Sequence, residues 1–155
     1  MKICFLLITG ILIFNSSCME NKSKQMPTFQ EGISNGYLQK EYPFPVKRYC
    51  QILRLKNDPE LIAEYIEWHS KVWPEVLEGI KKVGILDHEI YIHDDILFMI
   101  LVTPVDFDFE KQMGLLATLP RQAEWEEFMS KYQQSDPGAS SGEKWTLMPR
   151  VFKLK

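Results

Sequence analysis

The segment 57–73 constrains the fold most, because it contains several independent signals for the start of a helix. Asn57 or Asp58 can cap the helix by accepting hydrogen bonds from its first free N–H groups. Pro59 and Glu60 suit the first turn, where a missing N–H costs little and a carboxylate meets the positive end of the helix dipole. The sequence therefore predicts a helix that begins here.

Within this helix, Tyr65, His69 and Trp73 are spaced four residues apart and therefore share one stripe of the surface. Another part of the surface can be buried by the apolar residues Leu61, Ile62, Ile66 and Val72. The aromatic stripe is therefore not needed for amphipathicity and is free to form a site. Pro74 lacks an N–H and predicts a break, with a shorter helix continuing to Lys82.

The remaining elements follow from residue periodicity. It predicts four strands, at 48–55, 86–93, 96–102 and 145–154. Asp94 and Asp95 predict a turn that pairs the second and third strands as a hairpin. After that hairpin we expect a weakly helical segment and then a firm helix, at 106–119 and 121–133. The predicted fold class is α+β, a ferredoxin-like β-α-β-β-α-β sandwich.

Composition restricts the class of protein. A chain of 155 residues with 45% apolar residues can build one sizeable core, so we expect a single folded domain. The formal net charge of -3 and the lack of a basic stripe make nucleic acid an unexpected partner. Cys4, Cys18 and Cys50 have neither metal-binding spacing nor a pairing pattern, so no disulfide framework is expected.

The N-terminal region has the composition of a targeting segment. Residues 1–17 combine an early Lys2, an apolar run and small residues, which indicates a signal peptide too short for an ordinary membrane span. The small residues before Cys18 resemble the lipobox of bacterial lipoproteins, in which the cysteine is lipidated and becomes the mature N-terminus. We expect a flexible tether at 18–45, the folded domain at 46–155, and a lipid-anchored location at the cell envelope, periplasmic or at the outer membrane. A cleaved soluble form and an uncleaved anchor are the alternatives.

Several motifs together resemble the L-rhamnose mutarotase family. They are R-Y-C-Q, D-P-E-L-I-A-E-Y with the following His and W-P-E, then I-Y, W-E-E-F-M and G-E-K-W-T-L-M. The resemblance covers roughly residues 48–154, and it implies a ferredoxin-like domain of the dimeric α+β barrel type that dimerises through its sheet. The order of elements derived from periodicity agrees with that fold.

The resemblance also implies roles for particular residues. His69 would be the acid/base group, Tyr65 and Tyr91 would contact the sugar, and Trp125 would form part of the sugar platform. Members closest to the rhamnose enzyme carry two adjacent tryptophans at this last place, whereas here the second position is Glu126. That difference bears on the substrate and not on the reaction.

These residue types suit the interconversion of sugar anomers. The reaction needs a proton removed from the anomeric hydroxyl and one delivered to the ring oxygen, and it needs no metal or cofactor. Imidazole exchanges protons near neutral pH, a phenol can orient a hydroxyl or relay a proton, and an indole covers the C–H side of a pyranose. The sequence therefore predicts an isomerase, a mutarotase of a 6-deoxy-L-sugar such as L-rhamnose or L-fucose, with His69 and Tyr65 as its catalytic pair.

Other candidate residues have a structural interpretation beside the functional one. Trp73 either wedges the helix break in the core or contacts the sugar, and Tyr91 either contacts the sugar or covers a sheet face. His88 and His93 lie on opposite faces of their strand and are expected to be structural or exposed, without a third ligand for zinc. Cys50 is expected to be a buried thiol.

Two other functions and one partner remain open at this stage. A sugar-binding envelope lipoprotein without turnover would keep the same aromatic platform, and a small monooxygenase would share the architecture by analogy alone. The predicted sheet has apolar residues such as Phe98, Met99 and Ile100 on both faces, so its uncovered face needs a partner. We expect a homodimer with its sheets face to face, or else cover from the arm at 26–45.

Overall fold

The computed structural model describes residues 36–135, 139 and 141–154. The predicted signal peptide, Cys18 and the first part of the predicted tether lie outside the described residues. In chain order the elements are β1 (Val46–Arg54), α1 (Pro59–His69), α2 (Pro74–Lys82), β2 (Asp87–His93), β3 (Ile96–Pro104), α3 (Phe109–Ala117), α4 (Gln122–Ser130), α5 (Ser141–Lys144) and β4 (Thr146–Leu147).

The four strands form one antiparallel sheet in the order β2-β3-β1-β4, with the helices packed on one face. The fold is the predicted ferredoxin-like α+β sandwich. Its core lies between the sheet and the helices and contains buried apolar residues that include Leu53, Leu97, Leu101, Tyr132 and Trp145. Among the described residues, no helix is long and apolar enough to span a bilayer.

The predicted start and break of the first helix are confirmed. Asp58 caps α1, and its carboxylate accepts hydrogen bonds from the N–H groups of Glu60 at 2.9 Å and Leu61 at 3.3 Å. The helix ends at His69, and α2 begins at Pro74, whose ring is tolerated in a first turn. Local capping and proline chemistry therefore set both boundaries.

The C-terminal strand is shorter than predicted. Only Thr146–Leu147 pairs with β1, and the N–H of Met148 donates one further bond to the carbonyl of Cys50 at 2.8 Å. Pro149 follows and cannot donate to the ladder, which explains why pairing ends there. The rest of the segment is extended away from the domain, with Phe152 75% exposed.

The face of the sheet opposite the helices is partly open. Its residues on β1 and β3 include Ile52, Phe98 and Ile100, which are all only half-buried. Cys50 lies on this face and is also half-buried, so the expectation of a buried thiol is not met. The described arm, residues 36–45, reaches the same face, where the ring of Tyr37 meets that of Tyr91 edge-on at 5.6 Å.

Candidate active site

A cavity of about 70 Å³ lies between the helices and the inner face of the sheet. Helix α1 contributes Tyr65 and His69 to its wall, and α4 contributes Gln122, Trp125 and Glu126. Opposite them, β2 contributes His88 and Ile90. Much of the remaining lining is apolar and includes Val76, Ile80, Ile85, Met99, Leu101, Met113 and Leu116. Two of the three residues of the predicted aromatic stripe, Tyr65 and His69, therefore border this space.

One hydrogen bond sets the tautomer of His69. Its Nδ1 lies 2.9 Å from the backbone carbonyl oxygen of Tyr65, one helical turn earlier. A carbonyl oxygen can only accept a hydrogen bond, so we assign the hydrogen of the neutral imidazole to Nδ1. The Nε2 atom of the neutral ring then carries an unshared lone pair. His69 is thereby prepared to act as a base.

The surroundings of His69 keep it neutral and hold it in place. Burial lowers its pKa below the ordinary histidine value, although the bond to the Tyr65 carbonyl opposes this effect. The imidazole lies between two aromatic rings, with centroid distances of 4.0 Å to Tyr65 and 5.7 Å to Trp125. A ring packed in this way has little freedom to rotate.

Tyr65 is a hydrogen-bond donor that keeps its proton. Its side chain is buried, and this burial, with a smaller effect of the Glu126 carboxylate, raises the pKa of the phenol well above its ordinary value. The phenol beside His69 therefore stays protonated through the physiological range. It can orient an oxygen atom in the cavity without becoming a phenolate.

Trp125 borders the cavity, whereas Trp73 supports it from behind. Trp73 packs against Trp125 at 5.2 Å between ring centroids and stacks on Phe128 at 5.9 Å. The guanidinium of Arg121 lies 4.0 Å from the centre of the Trp73 ring. Trp73 is not among the residues that line the cavity. Of its two interpretations, this placement favours the wedge that holds the helix break and the Trp125 ring.

The structure does not bring Tyr91 to the cavity. Successive side chains of a strand alternate between the two faces, and Tyr91 lies on the face opposite His69, in contact with Tyr37. His88, three residues earlier, therefore points the other way and lines the cavity. The alternation Leu86, His88, Ile90, Ile92 already placed this histidine on the apolar face of the strand. A titratable residue in that pattern was the signal that could have identified it.

His88 lines the cavity, although the residue as a whole is exposed to solvent. Its Nε2 contacts the sulfur of Met99 at 2.8 Å. Desolvation, and then the proximity of His69, lower the pKa of His88, while Asp87 acts in the opposite direction. The cavity thus holds two imidazoles that each disfavour a positive charge. By contrast, the His93 side chain is exposed, and its Nε2 lies 3.6 Å from the Asp94 carboxylate.

Glu126 belongs to a polar wall that also contains Gln122 and Lys144. Its carboxylate accepts a hydrogen bond from Gln122 Nε2 at 3.1 Å and lies 3.6 Å from Lys144 Nζ. The same ammonium donates to the backbone carbonyl of Glu126 at 3.1 Å. Among the described residues, no group of three or more His, Cys, Asp or Glu side chains could hold a metal ion.

A ferredoxin-like sheet covered by helices, with histidine, tyrosine and tryptophan side chains lining its inner cavity, defines a small α+β protein with a candidate ligand site. The sequence matches the L-rhamnose mutarotase family over residues 48–154, which is most of the chain. The chain belongs to this family of carbohydrate isomerases. The resemblance identified from the sequence motifs is thereby confirmed.

Individual relatives agree with this assignment. The chain is 38% identical to an L-fucose mutarotase of Xanthomonas campestris pv. campestris, over 70% of this chain and 89% of the relative. It is 32% identical to an L-rhamnose mutarotase of Acidiphilium cryptum, over 65% and 93% of the two chains. The crystal structure of an L-rhamnose mutarotase from Formosa agariphila superposes with a TM-score of 0.55 at 22% identity, covering 70% of this chain and 99% of that one. This last likeness concerns the fold.

Proposed function

We propose that the chain interconverts the anomers of a 6-deoxy-L-sugar such as L-rhamnose or L-fucose, with His69 as the acid/base group and without a cofactor. The observation that carries this proposal is the bond from His69 Nδ1 to the Tyr65 carbonyl, which leaves Nε2 as the basic nitrogen of a residue that lines the cavity. Relatives named L-fucose mutarotase and L-rhamnose mutarotase support the choice of sugar.

The proposed reaction is a transfer of one proton between two oxygens of the same sugar. His69 Nε2 removes the proton from the anomeric hydroxyl, the C1–O5 bond breaks as the C1=O1 carbonyl forms, and the imidazolium returns the proton to O5. Rotation about C1–C2 presents the other face of the aldehyde, and the reverse steps close the ring. One imidazole can serve both oxygens because they are bonded to the same carbon.

Tyr65 orients the sugar in this scheme and does not give up its proton. Its raised pKa makes the phenolate too costly as an intermediate, whereas a phenol remains a good hydrogen-bond donor to O1 or O5. A hydrogen bond that grows stronger as charge develops on the sugar oxygen lowers the barrier. Trp125 offers an indole face beside His69 for the C–H side of the pyranose.

The apolar part of the lining favours a sugar without a hydroxyl at C6. Val76, Ile80 and Leu116 line the cavity and can contact a methyl group. A C6 hydroxyl facing them would lose its hydration without gaining a partner, which is unfavourable. We therefore expect L-fucose to be a better substrate than L-galactose, and L-rhamnose a better one than L-mannose.

Saturation-transfer NMR on the anomeric protons tests the proposal. Wild-type protein should accelerate the exchange between α and β anomers of at least one 6-deoxy-L-sugar, and His69→Ala should abolish the acceleration. His93→Ala is the matched control, because that histidine is exposed and remote from the cavity. Exchange at the uncatalysed rate for every such sugar would refute the mutarotase function. Isothermal titration that still detects sugar binding in that case would favour a binding protein without turnover.

We also propose that the functional unit is a homodimer. The open sheet face carries the half-buried apolar residues Ile52, Phe98 and Ile100, and the C-terminal segment carries Phe152 and Leu154, which is 81% exposed. Exposing this apolar surface to water is unfavourable in an isolated monomer. A second copy related by two-fold symmetry would bury it. Light scattering on a protein that starts near Gln25 should give about twice the chain mass.

A lipid anchor at Cys18 is a separate proposal, supported by the sequence of the N-terminal region alone. It would hold the domain at the bacterial cell envelope. Incorporation of radiolabelled palmitate into wild type but not into Cys18→Ala would support the anchor. A soluble, unlabelled wild-type product would refute it without affecting the proposed reaction.

A further inference from the structure

Gln122 lines the cavity and carries a buried hydrogen-bond acceptor that has no partner. The residue lies at the start of α4, lines the cavity and is only 6% exposed. Its Oε1 atom is buried and has no hydrogen-bond partner. Buried polar atoms almost always have a hydrogen-bond partner. Leaving one without a partner destabilises a protein by more than an average hydrogen bond stabilises it. An acceptor of this kind in a cavity points to a ligand with a donor group.

The orientation of the Gln122 amide is determined by its neighbour. The Glu126 carboxylate can only accept a hydrogen bond, so the group that faces it at 3.1 Å must be the NH₂ of Gln122. The oxygen of the amide must then point elsewhere. This argument removes the usual ambiguity between the nitrogen and oxygen of a glutamine side chain.

Lys144 in turn holds Glu126. Its side chain is only 2% exposed, and its ammonium contacts both the carboxylate and the backbone carbonyl of Glu126. A lysine buried to this degree requires a partner, because an unpaired ammonium loses its hydration. The chain from Lys144 through Glu126 to Gln122 is therefore a prearranged support for a single acceptor oxygen.

We propose that Gln122 determines sugar specificity by accepting, at Oε1, a hydrogen bond from one of the hydroxyls at C2, C3 or C4 of the sugar, with Glu126 and Lys144 as positioning residues. This inference rests on the proposed function, since it concerns the sugar bound in the same cavity. A hydroxyl meets the need because it donates one hydrogen bond and still accepts others. A sugar that lacks the hydroxyl, or carries it with the opposite configuration, leaves Oε1 unpaired and binds less well.

Binding to deoxy sugars tests the contact without requiring turnover. Dissociation constants for the preferred 6-deoxy-L-sugar and its 2-, 3- and 4-deoxy derivatives can be measured by isothermal titration calorimetry. Wild type should bind one of the three derivatives roughly tenfold more weakly than the parent sugar. Gln122→Leu should bind the parent and that derivative equally, because the lost hydroxyl no longer has its partner.

Gln51→Leu is the matched control. Gln51 is also a buried glutamine whose Oε1 is unpaired and whose Nε2 donates to a backbone carbonyl, that of Trp145 at 3.3 Å. It does not line the cavity, so its replacement should leave the preference among the sugars unchanged. Thermal unfolding shows whether each variant is folded, and Gln122→Met replaces Gln122→Leu if the latter is not.

Glu126 variants test the positioning role. Glu126→Leu removes the acceptor that orients Gln122 and should reduce the preference for the parent sugar. Glu126→Gln keeps an oxygen that can accept a hydrogen bond from Gln122 Nε2, so this variant should retain much of the preference for the parent sugar. A general loss of stability would not explain such a difference between the two variants.

The preference among the sugars separates this inference from the proposed reaction. If Gln122→Leu keeps the wild-type preference, or if wild type binds all the derivatives equally or none of the sugars, the inference is overturned. If wild type discriminates through Gln122 but leaves anomer exchange uncatalysed, the proposed reaction fails and the inference stands. If wild type catalyses exchange and Gln122→Leu retains the preference, the proposed reaction stands and the inference fails.

Discussion

At the scale of single residues, burial favours the neutral form of His69 and one backbone hydrogen bond sets its tautomer. The fold lowers its pKa, so the neutral form persists to more acidic pH than in a free histidine, whose pKa is 6.5. The same burial raises the pKa of the Tyr65 phenol. Two adjacent groups thereby suit different roles in the proposed reaction, His69 as a base at neutral pH and Tyr65 as a donor that keeps its proton.

The pH profile of anomer exchange should follow this assignment. A general base must be neutral, so the catalysed rate should stay constant as the pH falls below 6.5 and should drop only as the pH passes through the lowered pKa of His69. Saturation transfer between pH 4 and 8, corrected for the uncatalysed rate, measures the profile. His93→Gln should leave it unchanged. An acid limb centred above 6.5 would contradict the role of a buried base.

Tyr65→Phe should separate orientation from packing. The substitution removes the phenol hydroxyl but keeps the ring against His69, so the fold should remain while exchange slows roughly 10- to 100-fold through the loss of one strong hydrogen bond. Tyr132→Phe is a suitable control, because this buried tyrosine donates to Glu64 at 3.3 Å and does not line the cavity. Equal losses of rate in both variants would argue against a direct contact between Tyr65 and the sugar.

At the scale of secondary-structure elements, α1 carries Tyr65 and His69, the proposed catalytic residues, and begins at the Asp58 cap. The Asp58 carboxylate satisfies two N–H groups of the first turn. Helix α1 ends before α2 begins, so His69 is the last residue of α1. There its ring contacts that of Trp125 on α4. The position of the base is therefore linked to helix termination.

Asp58→Ala should lower the free energy of unfolding by about 1 kcal/mol through loss of the cap. For a domain of this size the melting temperature should fall by roughly 4 °C. Thermal unfolding followed by circular dichroism measures the shift. Asp106→Ala, at an exposed turn residue, is the control and should have a much smaller effect. The two variants should catalyse exchange equally at temperatures where both are folded; a rate loss confined to Asp58→Ala there would imply a role beyond capping.

At the scale of the whole molecule, the helices cover one face of the sheet and leave the other with half-buried apolar residues. The arm at 36–45 touches this face through Tyr37, next to β2. Ile100 lies on the central strand β3, and its side chain is half-buried. It therefore offers a way to test whether a second copy covers the sheet.

Ile100→Asp should convert the dimer to a monomer, because burying an unpaired carboxylate between two sheets is strongly unfavourable. Light scattering at micromolar concentration measures the change. Leu115→Asp places the same carboxylate on α3, where the side chain is already 44% exposed, and should leave the dimer intact. If Ile100→Asp remains dimeric, the two copies meet through another surface.

The features that could be predicted from the sequence are those carried by neighbouring residues. The cap at Asp58, the break at Pro74 and the shared face of Tyr65 and His69 depend on helix geometry within a few residues. The hairpin turn at Asp94 depends equally on local conformation, a left-handed backbone with φ of 53°. Such interactions are present in any context that lets the element form.

The remaining features depend on segments that are distant in sequence. The contact between Glu126 and Lys144 joins α4 to α5, and His88 and His69 line one cavity only because the fold brings β2 and α1 to it. Tyr91 lies on the same strand as His88, but the alternation of side chains along the strand places it on the outer face of the sheet. No sequence motif indicates what it contacts there. Periodicity assigns a side chain to a face, whereas packing selects what that face meets, because burial energy depends on the whole set of elements that come together.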